Sequence, residues 1–311
     1  MLHRSNKNRW VLYLIFLVFF PSIKVFAADV VVVRSRSSAK AAKLYNEAIE
    51  GIRQGLSTSF EIVDMKDVDS SRDLIQKIIG SKPKVVIAVG VKASGAVKDQ
   101  IGDIPIVYCM VSHAIQKKWK SENTTGVTMQ PAPSEQLKAF KKVVPDVHRI
   151  GLVYNPKLSG MFVEAAKAAA KDQGLEVVAE KIEERKEVPD ALRRVLAKSD
   201  AFWILRDGKV VNREFFSQVL LLQAQRKLPV MAFSERFVKK GALCSFSSGY
   251  KAQGRQAAKL ANAILSGNKP HDLPIQAPDG TLTINLTTAS KIGITIPSSL
   301  ENQQNVKVLP R

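Results

Sequence analysis

The sequence predicts an α/β protein built as two doubly wound, Rossmann-like lobes with a ligand cleft between them. Three observations predict it. Short apolar runs alternate with longer amphipathic segments along nearly the whole chain, the order of βαβ units in a parallel sheet. The apolar runs are continuous rather than alternating, so helices cover both faces of each sheet. The order also repeats. Residues 84–89 (KVVIAV), a turn, a helix and residues 104–107 (IPIV) are matched by residues 200–205 (DAFWIL), a turn, a helix and residues 228–231 (LPVM).

The elements follow in order. A β-branched run over 29–33 predicts the first strand. Ala41, Leu44, Ala48 and Ile52 recur at spacings of three and four, which predicts a helix over 38–57 with one apolar face. Strands are predicted over 61–63, 85–89 and 104–111, with helices over 71–79, capped by Ser70 or Ser71, and over 92–98. Residues 121–133 are polar and proline-rich without helical period, and read as a connection between lobes. The pattern then restarts with helices over 134–143, 159–173, 188–198 and 211–226 and strands over 150–154, 176–179, 201–205 and 229–233. A strand over 242–246, a helix over 249–265, a strand over 281–286 and a short helix over 287–292 complete both lobes. Lobe one is expected over 29–118 plus 245–270, and lobe two over 119–244 plus 271–311.

The N-terminus sets the compartment. His3, Arg4, Lys7 and Arg9 precede eleven apolar residues, Trp10 to Phe20, and small residues end the segment at Ala27. That order predicts a signal peptide over 1–27, cleaved after Ala27 or Ala28, and hence a periplasmic protein. The run is shorter than the roughly 20 residues a membrane span needs. The chain carries a net charge of +19; Arg4, Lys7, Arg9 and Lys24 account for four of these, leaving +15. The cations are dispersed, with no zinc-finger spacing, RNP-like aromatic motif or basic heptad helix, so no nucleic-acid partner is expected. Cys109 and Cys244 lie in apolar strand contexts and are expected as buried free thiols, although export would permit a disulfide.

Ligands of open parallel sheets sit beyond the carboxyl ends of the strands, next to helix N-termini. The residues that follow each strand are therefore the candidates. They are Ser35, Arg36 and Ser37 after the first strand, Gly90, Lys92 and Ser94 after the third, and Ser112 and His113 after the fourth. In lobe two they are Tyr154, Asn155 and Ser159, then Asp207, then Phe233, Ser234 and Glu235. Asp207 could accept from a ligand ammonium group, and Arg36, Ser37 and Ser94 could meet a carboxylate. Tyr154 and Phe233, at strand ends, are candidates for stacking on a ligand ring.

These stretches carry a family resemblance. The segments "KPKVVIAVGVKASGA", "DIPIVYCMV", "NTTGVTMQPAPSEQL", "VVPDVHRIGLVYNP", "LPVMAFSERFVKKGALCSFSSGYKAQGRQAAKLANAILSGNKPHDLPI" and "INLTTASKIGITIP" span nearly the whole mature chain. With them the chain resembles the substrate-binding components of the TrpX-like ABC transporter family, of type 1 periplasmic-binding fold. The resemblance implies binding of a small solute by hinge closure, without catalysis, with aromatic amino acids as the relatives' ligands. It implies a monomer that delivers its solute to an ABC permease, or alternatively reports to a membrane sensor. Departures from the family pattern concern the ligand. Arg206-Asp207-Gly208 stands where relatives have Thr-Asp-Asn. Lys157-Leu158-Ser159-Gly160-Met161 stands where they have Ser-Glu-Ala-Asn-Ser, and Gly249 replaces an acidic residue. A different, more anionic solute is compatible with these changes.

Catalytic signals are weak. Of four histidines, His3 falls in the signal segment, and His113, His148 and His271 form no metal-ligand spacing. There is no G-x-S-x-G elbow, no G-x-G-x-x-G, and the glycines at 90 and 95 lack the Gly-Lys-Ser/Thr ending of a P-loop. No enzyme activity, cofactor or metal is expected.

Overall fold

Four consecutive valines begin the first strand, β1 (Val30–Arg34), and their alternation decides where the sheet sits. Val30 and Val32 enter one core and Val31 and Val33 enter another, so both faces of β1 are dry. The computed structural model describes residues 28–36 and 38–310, so the signal segment 1–27 and the candidate Ser37 lie outside the described residues.

From β1 the chain continues through α1 (Ala39–Gly55), β2 (Phe60–Asp64), α2 (Ser71–Gly80), β3 (Val85–Val89), α3 (Val91–Val97), β4 (Ile106–Val111), α4 (His113–Lys118) and β5 (Thr124–Thr128). The five strands form one parallel sheet in the order β2-β1-β3-β4-β5. The second lobe follows with α5 (Pro133–Val143), β6 (Arg149–Tyr154), α6 (Pro156–Lys171), β7 (Glu176–Lys181), α7 (Val188–Leu196), β8 (Ala201–Ile204), α8 (Arg213–Arg226), β9 (Val230–Ala232), α9 (Glu235–Val238) and β10 (Cys244–Ser247). Helix α10 (Tyr250–Leu265) returns to the first lobe and packs on α1. The chain then ends in the second lobe with β11 (Thr281–Asn285), α11 (Leu286–Ile292), α12 (Ser298–Glu301) and β12 (Val306–Leu309). The second sheet runs β12-β11-β10-β9-β8-β6-β7, parallel throughout except where β10 meets β11.

The same alternation builds the second lobe. Ala201 and Trp203 of β8 face a core under α5 and α6, whereas Phe202 and Ile204 face one under α7 and α8. Caps fix where helices begin. Ser70 and Asp73 form a reciprocal capping box on α2, and the Asn155 and Asn212 side chains accept from backbone N–H groups in the first turns of α6 and α8.

The lobe boundaries differ from the expectation. Residues 124–128, read as linker, form β5 and pair with β4, so the first crossing falls at 129–132 rather than at 118. The polarity of this strand misleads because its threonine hydroxyls are satisfied internally: Thr125 donates to the Leu273 carbonyl at 2.9 Å and Thr128 to the Gln130 carbonyl at 3.0 Å. β10 pairs with β9 and β11, so the return crossing falls at 248–249 rather than at 245. The third lies beyond Gln276, which still bridges to Val127 of β5, rather than at 270. Gln253, fully buried, donates from Nε2 to the Met129 carbonyl at 3.2 Å and so ties α10 to the first crossing. Cys109 on β4 and Cys244 on β10 are buried free thiols in different sheets.

Candidate functional site

The carboxyl ends of both sheets face the crossings, and there the structure separates the candidate residues into two groups. Most are committed to their own loops. Asp207 is 2% exposed. Its Oδ2 accepts from the Asn155 backbone N–H and from the Ser159 hydroxyl, each at 2.8 Å, and its Oδ1 accepts from the Lys209 N–H at 3.0 Å. Asn155 in turn accepts from the Lys157 N–H through Oδ1 and donates from Nδ2 to the Ile182 carbonyl at 3.0 Å. The pair therefore ties the β6–α6 turn to the β8 turn, and the predicted ammonium acceptor is already occupied.

The first lobe behaves alike. Arg36 folds away and donates to the Met65 and Val68 carbonyls of the β2–α2 turn, so it does not present its guanidinium to a carboxylate. Ser35 is buried and its Oγ accepts from the Ala93 N–H at 2.8 Å, capping the adjoining helix turn. Gly90 sits at φ +89°, and a Cβ there would fall 2.7 Å from Ser35 Oγ and 2.9 Å from the Tyr45 hydroxyl; only glycine closes this turn. Ser94 is fully buried, with its hydroxyl 3.4 Å from the Ala88 carbonyl, and Lys92 is exposed on α3. His113 opens α4.

Around Phe233 the picture is mixed. Tyr154 is buried in the second-lobe core rather than presented for stacking. Glu235 pairs with Lys239 and Lys307, both at 2.8 Å, and hydrogen bonds from these ammonium groups lower its pKa. Ser234 caps α9 without a side-chain hydrogen bond. The Phe233 ring carries the Arg206 guanidinium, its Cζ 4.8 Å from the ring centroid.

The second group surrounds a cavity of about 470 Å³ between the lobes. Of the candidates, Ser112 from the first lobe and Ser159 from the second line it. The first crossing contributes Met129 to Ala132, flanked by Thr128 of β5 and Pro133 of α5, and Ile275 and Ala277 close it on either side of Gln276. Its second-lobe wall is apolar: Leu158, Met161, Phe162 and Ala165 on α6, with Leu205. Leu158 and Met161 are 54% and 44% exposed, although they are large aliphatic side chains on a helix. Lys117 and Arg206 are its charged lining residues, and no carboxylate is among those lining it. Among the described residues no three His, Cys, Asp or Glu side chains cluster to hold a metal.

The model of the family described as ABC transporter substrate binding protein matches residues 46–307. The chain belongs to that family. As a substrate-binding protein it is not an enzyme; its ligand is a small molecule and its partner a membrane transporter. A tyrosine-binding protein of Clostridioides difficile is 24% identical over 253 residues, covering 78% of this chain and 73% of the relative. Two solved structures, each covering 90% of this chain and 99% of theirs at 21% identity, share its two-lobed type 1 periplasmic-binding fold. One is an ABC domain from Streptococcus in complex with L-Trp, with TM-score 0.62. The other is the ligand-free, open structure of a substrate binding protein with adhesive properties from Clostridium difficile, with TM-score 0.70. Among the described residues of this substrate-binding protein no helix is long and apolar enough to cross a membrane.

Sequence reasoning missed most of the cavity lining. Strand-end loops point to Ser112 and Ser159, but Lys117, the crossing residues and the apolar α6 side chains lie outside those loops or on the helix that follows. Arg206 stands beside a named candidate, and its signal was the departure from the family's Thr-Asp-Asn turn.

Proposed function

We propose that this chain is the exported solute-binding component of an ABC importer, acting as a monomer in the periplasm, and that its two lobes close over a small solute. The solute class is an amino acid, aromatic ones included, or a related small organic anion. The single observation that carries this reading is the cavity of about 470 Å³ at the carboxyl ends of both sheets, bounded by interlobe crossings. A space of that size suits one small molecule. The relatives named for tyrosine and for L-Trp support the aromatic part of the class. The basic and apolar start of the chain supports export.

Closure follows from the connectivity. Two separately packed lobes joined by three short crossings can rotate as bodies with the crossings absorbing the dihedral change. A solute shifts that balance only by binding the closed form more tightly. Small-angle scattering with and without a solute found by thermal shift tests this. At a hundredfold excess over Kd the solute stabilises the fold by about 2.7 kcal/mol, enough to raise the melting temperature measurably. The radius of gyration should fall on saturation; an unchanged radius would refute closure.

A further inference from the structure

We propose that the solute is a carboxylate with an apolar body and no ammonium group, and that Arg206 is the residue that selects it. This rests on the carboxylate solute read above and narrows it.

The argument begins with charge. The cavity is lined by Lys117 and Arg206 and by no carboxylate. The acid nearest in sequence, Asp207, is buried and accepts three hydrogen bonds from the protein itself. An ammonium group enclosed here would be desolvated without a carboxylate to pair with, an arrangement that strongly disfavours binding. An anion meets the opposite situation. Among the described residues the Arg206 guanidinium makes no ion pair and no hydrogen bond, and its Nε is buried without a partner. A cation–π contact with the Phe233 ring, 4.8 Å from Cζ to the centroid, restrains the guanidinium. A restrained guanidinium whose two Nη groups are uncommitted and, unlike Nε, not buried is suited to hold a carboxylate end-on through two hydrogen bonds donated by those groups.

The rest of the cavity describes the remainder of the solute. Leu158, Met161 and Phe162 face the space from α6, and the exposure of the first two lets an apolar group remove their surface from water. Deaminated relatives of amino acids, such as aryl- or alkyl-propionates and the corresponding 2-hydroxy acids, have this shape and charge.

The test is calorimetric titration of the purified chain with three matched pairs: 3-phenylpropionate against L-phenylalanine, indole-3-propionate against L-tryptophan, and 4-methylpentanoate against L-leucine. We expect at least one deaminated acid to bind ten times more tightly than its amino acid. Arg206→Ala should weaken that acid at least tenfold, and Arg206→Lys should recover part of the loss. An unchanged circular-dichroism melting curve shows that the variants are folded. Preference for the amino acid in every pair that binds, or unaltered affinity in folded Arg206→Ala, overturns the proposal and leaves the solute-binding reading standing. Failure of both members of every pair overturns the carboxylate class itself, and the proposal with it.

Discussion

Replacing Gly254 by alanine should destabilise the first lobe, although alanine is the better helix former. Helices α1 and α10 meet at glycines: a Cβ on Gly254 would fall 1.9 Å from the Ala48 carbonyl oxygen and 3.0 Å from the Ile52 nitrogen. A Cβ on Gly51 would fall 1.9 Å from the Lys251 carbonyl oxygen, so the approach is reciprocal. Ordinary contact begins at 3.4 Å, so the axes must part by about 1.5 Å, and the obstacle is helix backbone rather than a side chain that can turn aside. Overpacking of this kind costs about 1–3 kcal/mol, and the helix propensity of alanine returns about 1. A fully buried seam with backbone on both sides belongs at the upper end, which leaves a net loss of about 2 kcal/mol. Gly80, at the end of α2 with nothing within 4 Å of its would-be Cβ, is the control: Gly80→Ala should be neutral or stabilising by up to about 1 kcal/mol. Urea unfolding followed by circular dichroism reads both. A Gly254→Ala protein as stable as the parent would refute the close approach of α1 and α10, and with it the seating of α10 that ties Gln253 to the first crossing.

Asp207→Ala removes an acceptor of three hydrogen bonds and orphans the Ser159 hydroxyl and the Asn155 and Lys209 N–H groups. Calorimetry should show a loss of about 2–3 kcal/mol, and a change within about 0.5 kcal/mol would show that the turns do not depend on it. Burial raises the Cys109 thiol from 9.0 to about 12 and raises Cys244 too. A thiolate-directed reagent at pH 8 should therefore leave the native chain unlabelled and label two thiols after denaturation. The folded value lies above the unfolded one. Stability is then independent of these thiols below about pH 9 and is lost as pH climbs from 9 toward 12, by up to about 1.4 kcal/mol per pH unit for each thiol. Cys109→Ala should flatten that slope, which urea titrations at pH 8, 9 and 10 would detect.

Hydrophobic continuity made most strands legible. β1, β3, β4 and β8 are buried on both faces, and a run of four to six apolar residues has few other uses in a chain this long. β5 escaped because a threonine hydroxyl reads as polar, whereas one that donates to a backbone carbonyl, as those of Thr125 and Thr128 do, packs as a β-branched residue. That error moved the first lobe boundary by about ten residues. β12 escaped for a different reason: Val306 and Val308 are half-buried on an edge, so only one neighbour, β11, defines the strand.

Site legibility had another limit. The rule that ligands lie beyond strand ends fixes where loops are, but not which way their side chains turn. Small acceptors such as Asp207 and Asn155 stand close to unpaired N–H groups of the next turn, and bonding those groups avoids leaving buried donors unsatisfied. The side chains that turn toward the cleft are those the loop does not need. Helix α6 shows what signal remained. Ser159, Val163, Ala166 and Ala170 form its buried stripe, while Leu158, Met161, Phe162 and Ala165 form a second apolar stripe at spacings of three and four. Phe162 at its centre meets Trp203 edge-on, 5.5 Å between centroids, which anchors the stripe to the core while its ends stay open. One apolar stripe is what packing against a sheet requires; in the second, only Phe162 packs on its own lobe's core, and Leu158 and Met161 stay exposed. Their exposure is offset only when something apolar enters the cleft, which is why the solute's body is readable from a helix rather than from a loop.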